Sequence, residues 1–292
     1  MNTLDIYTKH FNMRERPFTL VPDPDFLFWS PMHKRAYAIL EYGIVTRGPI
    51  TLVTGDVGAG KTTLVHHLLR AIDEDVQIGL VSNTQGGRGE LLRWVLAALE
   101  QPTSREASYV DLFEQFQEHL IAQYATGKRV IVIIDEAQNL SRDNLEELRM
   151  FTNINSGKDE LFQLVLVGQP ELRDVILRPD LSQFAQRVSA HFHLGPMDAE
   201  TVEAYIKHRL VQAGGTSDTF DSSACKAIQK QASGIPRLVN QLCDLCMVYA
   251  FANGQTVIDA DTVQQVLEDG VFFAGGVKSE ALRLVDPVSG SS

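Results

Sequence analysis

The chain has 292 residues, 44% of them apolar, which is enough for one substantial core and a smaller satellite domain and excludes disordered and fibrous classes. Its net charge of −11 and pI near 5.2 leave no global field drawing it toward nucleic acid or anionic lipid. The three cysteines, Cys225, Cys243 and Cys246, sit in helix-like patterns, the N-terminus lacks the apolar stretch of a secretion signal, and no run reaches the ~20 apolar residues that cross a bilayer, so a reducing, cytoplasmic setting is expected.

Residues 1–48 are expected to form an extended N-terminal segment and a leading helix. In PFTLVPDPDFLFWSP, Pro17, Pro22, Pro24 and Pro31 forbid regular helix, so this stretch should lie extended across a surface. In MHKRAYAILEYGIV, Ala36, Ile39, Leu40 and Ile44 share one helical face. From residue 49 to 197, short β-branched runs alternate with amphipathic stretches, the pattern of an α/β domain with a parallel sheet sandwiched by helices. The strands are ITLVT (50–54), QIGLVS (77–82), VIVIID (130–135), FQLVLVG (162–168) and, with weaker alternation, SAHFHLGP (189–196), while ELLRWVLAALE and YVDLFEQFQEHLIAQYA have helical spacing. Residues 198–268 read as a small all-helical domain, AETVEAYIKHRLVQAG, SSACKAIQKQAS, RLVNQLCDLCMVYAFANG and DADTVQQVLED. Residues 269–292 read as a flexible tail.

The sharpest local pattern is Gly55-Asp56-Val57-Gly58-Ala59-Gly60-Lys61-Thr62, which fits GxxxxGK[ST], follows a strand and opens a helix. Its glycines let backbone N–H groups turn inward around phosphates, and the helix start adds a favourable dipole. Lys61 is then expected on the β and γ phosphates of ATP, Thr62 on Mg²⁺, and Thr63 on a more distal phosphate. The apolar strand ending in Asp135 and Glu136 delivers two acids to the same sheet edge, Asp135 to hold Mg²⁺ through its water shell and Glu136 to act as general base. The plainer alternative makes these acids the start of the next helix. Cys243 and Cys246 form a CxxC without a second pair and read as a buried helix face. His66 and His67 lack a partner at metal spacing and read as structural or solvated. Phe18, Phe26, Phe28 and Trp29 either flank the adenine or cover the core edge, and packing is the simpler reading.

GDVGAGKTT, IVIIDEAQNL, LEELRMFTNI and LVLVGQPELRD together resemble the AAA+ ATPases of the general secretion pathway protein A type (ExeA-like). The resemblance runs from YTKHFNMRERPF, PDPDFLFWS and LEYGI to LRPDLSQFAQRVSAHFHLGPM, YIKHRL and SGIPRLVNQLCD, covering residues 7–267. It implies a P-loop AAA+ domain followed by a helical lid, and three further roles. Gln169 matches the first sensor, on the γ-phosphate or the attacking water; a turn residue before Pro170 is the other reading. Arg187 matches an arginine finger reaching a neighbouring subunit's nucleotide, with Arg178 and Arg173 as substitutes and a surface salt bridge as the bland alternative. Arg237, in Gly234-Ile235-Pro236-Arg237, matches the second sensor at the start of a lid helix, where a simple helix start is the alternative.

The resemblance implies ATP hydrolysis in a ring of like chains, hexameric in the fullest form, that assists a cell-envelope machine for secretion, pilus or polysaccharide export. Relatives often carry a membrane span and a peptidoglycan-binding domain after the ATPase, neither of which is read within residues 1–292. A separate membrane or envelope-complex partner is therefore expected, with the chain cytoplasmic or peripheral at the inner face of the membrane. Two other readings stand beside this one. A DNA-associated ATPase such as a transposition helper is disfavoured because 37 acidic residues outnumber 26 basic ones. A nucleotide-dependent regulator of low turnover would act by ordering a partner.

Overall fold

A computed structural model describes residues 6–20, 26–72, 75–82, 90–157 and 159–273. Pro22 and Pro24, and residues 274–292 of the expected tail, lie outside them. The chain divides into two compact units, one of residues 29–195 and one that joins residues 1–28 to 196–292.

The first unit is α/β. Helix α1 (Pro31–Val45) leads into β1 (Ile50–Gly55), α2 (Lys61–Ala71), β2 (Val76–Val81), α3 (Glu90–Ala98), α4 (Tyr109–Ala125), β3 (Arg129–Ile134) and α5 (Arg142–Phe151). A small hairpin, β4 (Asn155–Ser156) against β5 (Asp159–Glu160), precedes β6 (Phe162–Gly168), α6 (Pro170–Ile176), α7 (Ser182–Ala185) and β7 (Val188–Leu194). Nothing in the polar NSGKDE run had marked that hairpin. Pro31 starts a helix instead of forbidding one: it occupies the first turn, where a missing N–H costs nothing, and the Ser30 hydroxyl accepts from the His33 amide.

Five strands form one sheet in the order β2-β3-β6-β1-β7, with every pairing parallel. Alternate residues of each strand face opposite sides, so both sides of the sheet must be covered. On one side Val130, Val132 and Ile134 of β3 pack with Leu92, Phe116 and Leu148 from α3, α4 and α5. On the other, Ile131 and Ile133 pack with Leu40, Leu64 and Leu68 from α1 and α2. Because the strands run the same way, the C-terminal ends of β1, β6 and β3 stand side by side on one edge, with Thr54 opposite Gly168 and Leu166 opposite Ile134.

The second unit contains α8 (Ala199–Gln212), α9 (Ser222–Ala232), α10 (Pro236–Ala252) and α11 (Ala260–Glu268). Asp198, Asp221 and Asp259 cap α8, α9 and α11, their carboxylates accepting from the amides of Thr201, Ala224 and Thr262 at 2.8, 2.8 and 2.9 Å. Cys225, Cys243 and Cys246 are free and buried in this core.

The N-terminal segment departs from the expectation that it lies extended on a surface. Residues 7–12 fold into turns, and Tyr7, Phe11, Phe18 and Phe26 are buried in the core of the helical unit. Tyr7 and Arg16 both hydrogen-bond the Asp244 carboxylate on α10. Irregular spacing hid this burial, because apolar residues in turns carry no helical or strand period. The leading helix α1, by contrast, belongs to the α/β unit. Among the described residues, no helix is long and apolar enough to cross a membrane.

Candidate functional site

The loop from Asp56 to Gly60 turns the chain from β1 into α2. Gly58 and Gly60 have φ of 81° and 95°, conformations that L side chains rarely adopt, and the Ala59 amide donates to Asp56 O at 3.1 Å to close the turn. The first intrahelical amide of α2 is that of Leu64, bonded to Gly60 O at 3.0 Å, so the amides before it lack helical partners and make an anion-receiving end. Lys61 is buried, and its ammonium lies back in the loop, donating to Gly55 O at 2.7 Å and Asp56 O at 2.9 Å. Burial pushes its pKa below the ordinary lysine value, against the pull of the Glu136, Asp135, Asp56 and Glu171 carboxylates. Thr63 follows on α2, half-buried, and Val57 is exposed at the loop tip.

Asp135 leaves the end of β3 buried, its amide bonded to Val81 O at 2.9 Å. One carboxylate oxygen accepts from the Thr62 hydroxyl at 2.8 Å and the other from the Glu136 amide at 2.9 Å. Two hard oxygen donors from the loop helix and from β3 thus already touch. Glu136 itself has a positive φ of 53° and an exposed side chain, which turns it away from the strand direction. Gln169 caps α6 at the end of β6.

Sequence reasoning passed over two residues here. Gln138 donates to Glu136 Oε2 at 2.6 Å and accepts from the Gln169 amide at 3.0 Å, joining the ends of β3 and β6. His33 of α1 is buried, accepts or donates at Nδ1 with the Ser30 hydroxyl at 2.7 Å, and presents Nε2 3.0 Å from where a Cβ on Gly60 would lie. Burial lowers its pKa, opposed by a hydrogen bond with the Ala59 backbone. The signal for Gln138 was present two positions after Glu136; for His33 no local pattern existed, because the contact spans 27 residues.

Lys61, Thr62, Asp135, Glu136 and Gln169 are therefore gathered on three neighbouring strand ends, and Arg187 is not among them. Arg187 immediately precedes β7, whose first residue pairs with Ile50 at the start of β1. Six residues of strand, about 20 Å at ~3.3 Å each, separate it from its own phosphate loop. It donates to Thr152 O at 2.9 Å and to the Asn153 side chain. Arg173 is exposed on α6 near His191, and Arg178 pairs with Asp180 at 3.4 Å. Arg237 is exposed in the first turn of α10, in the helical unit. The turn before it is pinned: Gly234 has φ 69°, accepts from the Met197 amide at 2.9 Å, and would place a Cβ 2.0 Å from Met197 O.

Residues 45–176 match the family model described as "AAA domain". The solved structures that resemble the chain include the Aeropyrum pernix ORC2 protein (17% identity, 88% of this chain and 72% of that one, TM-score 0.62). They also include Cdc6p from Pyrobaculum aerophilum (17%, 85% and 71%, TM-score 0.64). At such identities the likeness is one of fold. Parallel sheet, glycine loop and strand-end acids together define a P-loop nucleotide-binding fold of the AAA+ class. General secretion pathway protein A of Aeromonas hydrophila is 38% identical over 249 residues, which is 85% of this chain. Within the AAA+ class the chain is similar to that ExeA-like type, and it spans 46% of the length of the curated relative it matches.

Proposed function

We propose that the chain binds ATP with Mg²⁺ at the ends of β1, β3 and β6, hydrolyses it to ADP and phosphate, and uses the cycle in a ring of like chains to assemble or switch a cell-envelope machine. The observation that carries the reading is the hydrogen bond from Thr62 to Asp135 beside a lysine-filled phosphate loop. The relation to general secretion pathway protein A supports the envelope setting.

In this reading Lys61 exchanges the carbonyls of Gly55 and Asp56 for β and γ phosphate oxygens, while the loop amides and the start of α2 receive the remaining charge. Thr62 and Asp135 offer the hard oxygen donors that suit Mg²⁺, which when bound neutralises charge developing on the phosphates. Glu136 takes a proton from water as its oxygen attacks the γ-phosphorus, and the bond to the bridging oxygen of ADP breaks. Gln169 holds the γ-phosphate or that water, and Thr63 a more distal phosphate. Arg187, too far from its own loop, serves the site of a neighbouring copy, and Arg237 reaches the γ-phosphate when the helical unit closes as a lid. Neighbours and partner proteins at the inner face of a membrane would then feel each turnover.

Purified chain tests this directly. Lys61→Ala should lose nucleotide binding, and Glu136→Gln should bind ATP while phosphate release falls by about 10²–10⁴-fold. Unimpaired binding and turnover by Lys61→Ala would refute the proposal. An envelope-complex subunit should stimulate the parent; stimulation by duplex DNA with a steep salt dependence would replace the envelope role with a DNA-associated one.

A further inference from the structure

We propose that Gln138 is a positioning residue for Glu136: it aims the Glu136 carboxylate at the phosphate loop and ties that aim to the end of β6. The inference rests on the hydrolytic role of Glu136 given above and extends it to Gln138, two positions further along the same IVIIDEAQNL stretch.

Two hydrogen bonds and the clearance left by a glycine carry it. The Gln138 amide nitrogen donates to Glu136 Oε2 at 2.6 Å, and its amide oxygen accepts from the Gln169 backbone at 3.0 Å. The space for that carboxamide is kept by Gly168, where a Cβ would meet Gln138 Oε1 at 3.0 Å, the Gln138 amide at 3.2 Å and Leu172 Cδ2 at 2.7 Å. Glu136 is exposed and left-handed at φ 53°, so the bond from Gln138 decides where its carboxylate rests. The tethered carboxylate belongs to the residue next to Asp135, whose own carboxylate accepts from the Thr62 hydroxyl of the loop helix at 2.8 Å and from the Glu136 amide at 2.9 Å.

The chemistry of the position is demanding. One neutral group must donate to a carboxylate and at the same moment accept from a backbone amide, which a carboxamide of this length does. A glutamate would face Glu136 with a second charge, and a lysine or arginine has no acceptor for the Gln169 amide. Because the acceptor half bonds the residue just before α6, a shift of Gln169 on meeting a phosphate moves the Glu136 carboxylate with it. The base is thereby oriented in step with the group at the end of β6.

The test is steady-state phosphate release and ATP binding by the full chain carrying Gln138→Ala, Gln138→Met, Gln138→Glu, Glu136→Gln and the Gln138→Ala/Glu136→Gln pair. Gln138→Met keeps the side-chain volume should Gln138→Ala unfold. The expected result is a fall in kcat of about 10- to 100-fold for Gln138→Ala and Gln138→Met with KM and Kd for ATP within about twofold, and at least as large a fall for Gln138→Glu. Adding Gln138→Ala to Glu136→Gln should change nothing further, since the residue acts through Glu136. Full kcat in Gln138→Met, or a loss that multiplies in the Glu136→Gln background, overturns the inference. If Glu136→Gln turns over like the parent, the hydrolytic reading itself falls and this inference falls with it; a dead Glu136→Gln beside an unimpaired Gln138→Met removes the inference alone.

Discussion

Replacing Gly60 by alanine should strain the phosphate loop in two separable ways. A side chain at φ 95° costs roughly 1–3 kcal/mol because the new Cβ crowds its own backbone. The same Cβ would stand 3.0 Å from His33 Nε2, tighter than ordinary contact, and His33 is buried and held by Ser30 at 2.7 Å, so it gives way poorly. Overpacking of that kind adds about 1 kcal/mol or more. For a unit of this size each kcal/mol lowers the midpoint by about 2–4 °C, so Gly60→Ala should unfold roughly 5–15 °C below the parent in a thermal melt. His33→Ala in the same chain should recover the contact part and leave the backbone part. A single variant melting within about 2 °C of the parent would refute the reasoning.

If Arg187 serves a neighbour's site, Arg187→Ala and Lys61→Ala chains should each be inactive alone and recover about a quarter of the parent's hydrolysis when mixed in equal amounts, because some shared sites then join an intact loop to an intact arginine; no recovery in an assembled mixture would count against it. Burial holds His33, His119, His191 and His208 below the ordinary histidine pKa, so the unfolded chain takes up protons first as the solution is acidified. The stability these groups retain above about pH 6.5 should be lost as pH falls toward 5, seen as a falling melting midpoint; a flat or rising profile would contradict this. Burial also pushes the thiols of Cys225 and Cys246 up to about 12 and raises that of Cys243 well above the ordinary thiol value. Alkylation at pH 8 should therefore spare the native chain and modify all three cysteines in denaturant, as mass spectrometry would read.

The five strands of the parallel sheet were legible because each is an apolar run of the right length between turn residues, and the observed bounds differ from the expected ones by at most two positions. The glycine loop and the two acids were legible because their spacing is local. The N-terminal segment was not, since Tyr7, Phe11, Phe18 and Phe26 reach their places through turns, with partners as distant as Asp244, 237 residues after Tyr7. Gln138 and His33 escaped for a related reason: what matters about each is a neighbour supplied by the sheet, the Gln169 amide in one case and Gly60 in the other. Arg187 was named from resemblance, and only the parallel register sets it at the far edge from its own loop.

The aromatic residues near the start of the chain complete a core whose other half begins at residue 196, with residues 29–195 coming between. At a synthesis rate of ~5–20 residues per second, those intervening 167 residues (195 − 29 + 1) take roughly 8–30 s to emerge. During that interval the α/β unit can collapse on its own while a sticky leader waits beside the ribosome without its docking surface, and slower translation lengthens its exposure to chaperones and to other nascent chains.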